Sequence, residues 1–78
     1  MAELLYAQFK ALTARSYGGT LTAAEHEALA GDYAALFARA NAALDSGAQA
    51  HHVARECLNW RDHHSHRAYM MAQRVTAA

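Results

Sequence analysis

The side chains best suited to chemistry lie together in residues 51–67, HHVARECLNWRDHHSHR. This stretch holds five of the six histidines, the single cysteine and the single tryptophan of the 78-residue chain. Imidazoles bind metal ions and exchange protons near neutral pH, and a cysteine thiolate is a nucleophile. The stretch therefore presents three alternatives: a metal site, a proton-handling site, or the surface of an ordinary helix.

Helical geometry divides this stretch between two faces of one helix. At about 100° per residue, apolar residues at steps of four and three predict an amphipathic helix over roughly residues 50–76. The inward face is predicted to hold Val53, Cys57, Trp60, His64, Ala68, Met71 and Val75. The outward face is predicted to hold His52, Glu56, Asn59, His63, His66, Met70 and Arg74, flanked by Arg55 and Arg67.

Distance argues against a metal ion held by this helix alone. His52 and His63 are separated by about 16 Å along a helix, whereas zinc needs each ligand nitrogen about 2.0 Å away. His63 and His66 form a usable pair, but Asn59 is a poor third ligand. We therefore predict no metal site and no cofactor.

Cys57 and His64 are predicted to be structural. Sharing an ion would require His26 from another helix, because the two residues are about 10 Å apart along their own. Cys57 suits a small, inert apolar role, since a nucleophile needs a base within hydrogen-bond reach. His64 is expected at the core edge, paired with a hydroxyl or carbonyl, and would weaken the fold at low pH if buried. No catalytic set can be assembled, so we predict no catalytic residues and no enzyme.

The rest of the chain predicts two more helices. The double glycine at residues 18–19 ends a first helix over roughly residues 2–15. Thr22 and Glu25 have the spacing of a capping box, which begins a second helix that runs to about residue 45. Gly47 suits the turn into the third helix. We expect one all-α domain over residues 1–78, a small three-helix bundle with a central Ala-rich second helix.

The second helix carries two seams. A normal core stripe comprises Leu29, Tyr33, Leu36, Phe37, Ala40 and Leu44. The alanine seam, which has only the smallest residues at heptad steps, comprises Ala24, Ala28, Gly31, Ala35, Ala38 and Ala42. Three interpretations of this seam stay open: a solvated face, close packing by the first helix, or a homodimer or partner contact.

Composition excludes several classes of protein. No stretch approaches eighteen apolar residues, and the acidic start lacks an apolar run, so neither a membrane span nor a signal peptide is predicted. One cysteine suits a reducing compartment, and we expect a cytoplasmic protein. Seven basic and seven acidic side chains cancel at pH 7, while the histidines would add positive charge at lower pH.

The leading hypothesis is a non-enzymatic protein–protein interaction module that acts as a small inhibitor or adaptor. Phage-encoded inhibitors such as anti-CRISPR proteins have this size, which is an analogy of size alone. Arginine is enriched at interface hot spots, and a methionine stands where solvent is expected. The predicted contact face consists of Arg55, Asn59, His63, His66, Arg67, Met70 and Arg74. The same basic face keeps weak nucleic-acid binding open as an alternative.

The run LTAAEHEALAGDYAALFARANAALDSGA is similar in layout to part of the TipA-type antibiotic-recognition domains. Those domains have a Thr-capped helix, a small-residue-rich middle and an Asp-x-Gly stop, which Thr22, Asp45 and Gly47 match. Leu58 and His63 fall near a Leu and a His that follow in the family. The resemblance covers about half of the chain and implies a small-molecule sensing domain as an alternative function. It carries over no ligand-binding residue.

Overall fold

A computed structural model describes the backbone of residues 2–77 and the side chains of residues 3–45 and 47–74. In this part of the chain the elements are α1 (Ala2–Ser16), α2 (Ala23–Ala42), a 3-10 turn (Leu44–Ser46) and α3 (Ala48–Ala77). The predicted all-α three-helix bundle is confirmed. Over the same residues, no helix is both long and apolar enough to cross a membrane.

The helix boundaries follow local signals in the sequence. The predicted capping box is present: Thr22 Oγ1 accepts from the Glu25 amide at 3.1 Å, and the Glu25 carboxylate accepts from the Thr22 amide at 2.9 Å. α2 ends at Ala42, earlier than predicted, because the chain tightens into the 3-10 turn. Gly47 then takes a φ of 122°, which other residues rarely adopt, and α3 begins.

α1 and α3 run parallel to each other and antiparallel to α2. Tyr6 of α1 contacts His52 near the start of α3, and Ser16 at the end of α1 bonds to His64. His26, near the start of α2, also meets His64. Because α3 has 30 residues and α2 has 20, the last turns of α3 extend beyond the start of α2. The α1–α2 loop lies at this same end of the bundle.

Apolar side chains from all three helices form one core. Its buried members are Leu5, Phe9, Leu29, Tyr33, Leu36, Ala40, Ala50, Val53, Ala54 and Cys57. Leu12, Phe37, Leu44 and Trp60 pack against them and are partly buried. The predicted apolar stripes are therefore confirmed as the core, except that Met71 is half-buried and does not belong to it. The side chain of residue 75 lies outside the described part.

The alanine seam of α2 takes no part in this core. All six of its residues are exposed, so the interpretation in which α1 packs against the seam is wrong. α1 instead places Leu5 and Phe9 against the core stripe, where larger side chains bury more apolar area than alanines offer. α2 thus contacts both other helices through its core stripe, and the seam is solvated in the monomer.

His52 is more enclosed than the helical pattern predicts. It was expected to point outward, but it is half-buried, with its ring 6.2 Å from the rings of both Tyr6 and Phe9. The reason is that α1 covers this part of α3. His63 and His66 are exposed, as predicted.

Candidate functional site

Two histidines from different helices meet in the interior, at the end of the bundle where α1 stops. His26 of α2 and His64 of α3 are 6% and 1% exposed, and their Nδ1 atoms are 2.8 Å apart. His26 lies one turn inside the capped start of α2. His64 lies on the inward face of α3, as predicted.

A chain of hydrogen bonds connects this histidine pair to α1. His64 Nε2 lies 2.9 Å from Ser16 Oγ, which lies 3.1 Å from the Tyr33 hydroxyl. The Tyr33 hydroxyl also donates to Thr13 Oγ1 at 3.4 Å, and Thr13 Oγ1 donates to the Phe9 carbonyl at 2.9 Å. The expected hydroxyl partner of His64 is therefore confirmed. Buried polar networks stabilise one arrangement of their helices when every member has a partner.

The short Nδ1–Nδ1 distance limits how many protons the pair can hold. Each neutral imidazole has one N–H and one bare nitrogen, so one ring donates and the other accepts. When His26 donates, its Nε2 is bare and His64 Nε2–H donates to Ser16. When His64 donates, Ser16 donates to His64 and His26 carries its hydrogen on Nε2. The pair can take one further proton, whereas a second would place a hydrogen on both Nδ1 atoms, which face each other at 2.8 Å.

Burial keeps both rings neutral near pH 7. Desolvation, together with smaller effects of His63 and His26, lowers the pKa of His64 to about 4. Desolvation also lowers the pKa of His26, helped by Arg67 and His63 and opposed by Glu25. The pair is therefore uncharged at neutral pH and becomes charged only in acid.

Aromatic rings hold His64 in position. Its ring is stacked with Tyr33 and Trp60, with centroids 5.8 Å away in both cases. The edge of Tyr17 contacts Trp60 at 5.6 Å, and His63 contacts His64 at 4.9 Å. Rotation of the His64 imidazole would break these contacts together with both of its hydrogen bonds.

A pocket of about 430 Å³ opens beside the histidine pair. Its lining comes from the end of α1, the α1–α2 loop, the start of α2 and the end of α3: Ser16, Gly19, Thr20, Leu21, His26, His63, His64, Arg67, Met70, Met71 and Arg74. Among the residues that the structure describes, no aspartate or glutamate lines it. The pocket therefore combines three imidazoles and two guanidinium groups with an apolar wall.

A second depression of about 360 Å³ adjoins this pocket and shares Ser16 and His63 with it. Tyr17, Asn59 and Trp60 complete its lining. The edge-to-face contact between Tyr17 and Trp60 forms an aromatic surface there. The two depressions make the surface of this end of the bundle concave.

The structure places the seven predicted contact residues at the surface. All are exposed: Arg55, Asn59, His63, His66, Arg67, Met70 and Arg74. His63, Arg67, Met70 and Arg74 line the pocket, and Asn59 and His63 line the adjoining depression. Arg55 and His66 line neither. The α3 face is thus partly flat and partly concave.

The sequence did not reveal how His26 and His64 meet. The apolar pattern of α3 placed His64 inward, and His26 stood out as the nearest imidazole on another helix. Their hydrogen bond joins residues 38 positions apart, and local periodicity does not fix that register. The contribution of the α1–α2 loop to the pocket had no sequence signal beyond the double glycine.

Cys57 does not line this pocket. Cys57 is fully buried, and burial raises the pKa of its thiol to about 11, with a smaller effect of Glu56. The thiol is therefore protonated and shielded, in agreement with an inert role. In the described part of the chain, no group of three or more His, Cys, Asp or Glu side chains is arranged to hold a metal ion.

Comparison with known proteins found no matching family model, no matching curated protein and no matching solved structure. The resemblance to TipA-type domains therefore gains no support from these comparisons.

Proposed function

We propose that this chain is a non-enzymatic protein–protein interaction module, an inhibitor or adaptor that binds its partner with the outward face of α3. The observation that carries the proposal is a set of cations without partners. Over the described residues, Arg55, Arg67 and Arg74 make no hydrogen bond or ion pair. All three project from one helix with no other task in the fold.

Two other arginines behave differently, whereas Arg39 of α2 also makes no ion pair among the described residues. Arg15 pairs with Asp32 at 3.0 Å, and Arg61 pairs with Asp62 at 2.9 Å. These pairs show that carboxylates are within reach of arginines elsewhere on the surface. A guanidinium group presents a planar fork of donors that matches a carboxylate. The favoured partner is therefore a protein with an acidic surface.

The shape of the face also favours a protein partner. Met70 is 42% exposed between the arginines, and the two depressions give side chains of a partner somewhere to insert. Hot spots concentrate where anchors fill such pockets. A protein of 48 × 20 × 13 Å presents the long α3 as an accessible edge.

The experiment begins with capture from a lysate of the source organism and ends with purified components. The immobilised protein is compared with R67E/R74E and with K10E/R39E, which changes the charge equally at two exposed positions outside the α3 face. A protein retained by the wild type and by K10E/R39E, but lost with R67E/R74E, is purified for calorimetry. We expect R67E/R74E to raise its Kd about ten-fold or more. Equal affinity for both variants, or no retained protein, would contradict the proposal.

Nucleic-acid binding through the same arginines is the alternative that this design also tests. Binding to phosphates releases counterions, so its affinity falls steeply with added salt. A nucleic-acid ligand would be lost with R67E/R74E and would be destroyed by nuclease but not by protease. In that case the α3 face is still the binding surface, but its partner is a nucleic acid and not a protein.

A further inference from the structure

We propose that the 430 Å³ pocket binds a free small organic anion, a carboxylate attached to an apolar body, which His26, Arg67 and Arg74 hold by its head. This inference does not depend on a protein partner. It rests on three independent features of the pocket: a ring nitrogen without a protein partner, a uniform charge and an apolar wall.

The unused nitrogen is Nε2 of His26. His64 uses both ring nitrogens, whereas His26 uses Nδ1 for the pair, and no described residue bonds to its Nε2. Nε2 is on the ring edge opposite the pair, and the ring lines the pocket. A ligand oxygen in the pocket would give this nitrogen the partner that the protein does not supply.

The charge of the pocket selects an anion. Arg67 and Arg74 line it without an ion pair among the described residues, and His63 adds a third polar group. Glu25, the neighbour of His26 on α2, is exposed, and its carboxylate already accepts a hydrogen bond from the Thr22 amide. A recess lined by one sign of charge concentrates ligands of the opposite sign.

The remaining wall selects an organic ligand. Leu21, Met70 and Met71 supply apolar surface, and methionine side chains adapt to irregular shapes. A volume of about 430 Å³ is within the range of small-molecule sites. The carboxylate of such a ligand offers two coplanar oxygens to a guanidinium group. The apolar part of the same ligand would displace water from the methionine side chains.

Protonation of the histidine pair couples to this binding. The groups that face the pair are Ser16 of α1, Glu25 and Tyr33 of α2, and His63, Arg67 and Arg74 of α3. An anion at His26 Nε2 favours a hydrogen on that atom and offsets the charge of Arg67. The pair accepts one proton, because a second would place a hydrogen on both Nδ1 atoms. We therefore expect each bound anion to be accompanied by the uptake of up to one proton as the pH falls, and never two.

The test is an NMR titration of the ¹⁵N-labelled protein near pH 7 with hexanoate, with hexanamide as the uncharged control and acetate as the head without a body. We expect hexanoate to bind about ten-fold or more tightly than either control and to shift the signals of Gly19, Leu21, Met70 and Met71. R67Q/R74Q should lose about ten-fold in affinity, whereas R39Q/R55Q, exposed outside the pocket, should not.

Equal binding of hexanoate and hexanamide, or shifts at other residues, would overturn the inference. So would unchanged affinity of R67Q/R74Q, whose exposed positions leave the fold intact. Proton uptake is measured by calorimetry in two buffers with hexanesulfonate, which stays ionised from about pH 5.5 to about pH 7.5. Uptake of no proton, or of two protons, would overturn the coupling to the histidine pair.

Discussion

The two ends of the α2–α3 pair are held together by different interactions, apolar packing at one end and a histidine–histidine hydrogen bond at the other. At one end Leu36 and Ala40 of α2 belong to the same apolar core as Ala50 and Val53 of α3, and all four are fully buried. At the other end His26 meets His64 through one hydrogen bond. Apolar burial involves no titrating group, so it is insensitive to pH. The histidine end depends on protonation and borders the 430 Å³ pocket, so we expect pH to act on stability mainly at this end.

Removing a core side chain at the apolar end should have the largest effect. Leu36→Ala leaves a cavity under fully buried side chains and should cost about 2–5 kcal/mol of unfolding free energy. The loss should be the same near pH 7.5 and near pH 5.5, as measured by urea unfolding. Leu4→Ala is the control, since Leu4 is exposed. A loss that changes with pH would show that the two ends are not independent.

Acid should weaken the histidine end. Because burial lowers the pKa of His64 from 6.5 to about 4, the unfolded chain binds more protons than the folded chain between these values. The free energy of unfolding should therefore fall as the pH drops below 6.5, and His64 alone should lower it by on the order of 3 kcal/mol by pH 4. Urea unfolding at a series of pH values measures this.

The double variant H26Q/H64Q separates this effect from other titrations. It removes both imidazoles and should flatten the pH dependence between 6.5 and 4, while L36A should keep the wild-type slope. An unaltered slope in H26Q/H64Q would place the acid sensitivity elsewhere in the chain.

Ser16→Ala should have an intermediate effect. It removes the hydroxyl that pairs with His64 Nε2 and Tyr33, and because Tyr33 keeps its bond to Thr13, the buried His64 Nε2 is left without a partner at a cost of about 1–3 kcal/mol. Ser65→Ala, on the exposed surface of α3, is the matched control. Thermal unfolding of both variants should show a lower Tm for Ser16→Ala alone, and equal Tm values would mean that the network adds no stability.

The smallest effect should come from the start of α2. Thr22→Ala removes half of the capping box and should cost about 1 kcal/mol, because Thr22 Oγ1 satisfies a free helix amide. His26 is one turn away, so its ring signals should shift as well. Thr20→Ala, exposed and before the cap, should leave both stability and these signals unchanged.

Local patterns predicted most of the fold, because caps and apolar stripes act within one helix. Thr22 with Glu25 began α2, Gly47 preceded α3, and the stripes gave the core. The half-burial of His52 and the solvation of the alanine seam depend on where α1 lies, which no single helix encodes. The site was predicted in part for the same reason: the exposed α3 residues follow from helical phase, while the His26–His64 bond follows from register between helices.

The most direct test of the buried pair is ¹⁵N NMR of the His26 and His64 imidazoles as a function of pH. We predict two neutral rings near pH 7, one Nδ1–H shared between them, and uptake of a single proton well below the ordinary histidine pKa of 6.5. Two rings that charge independently near 6.5 would contradict the shared hydrogen bond and, with it, the pocket geometry built on His26.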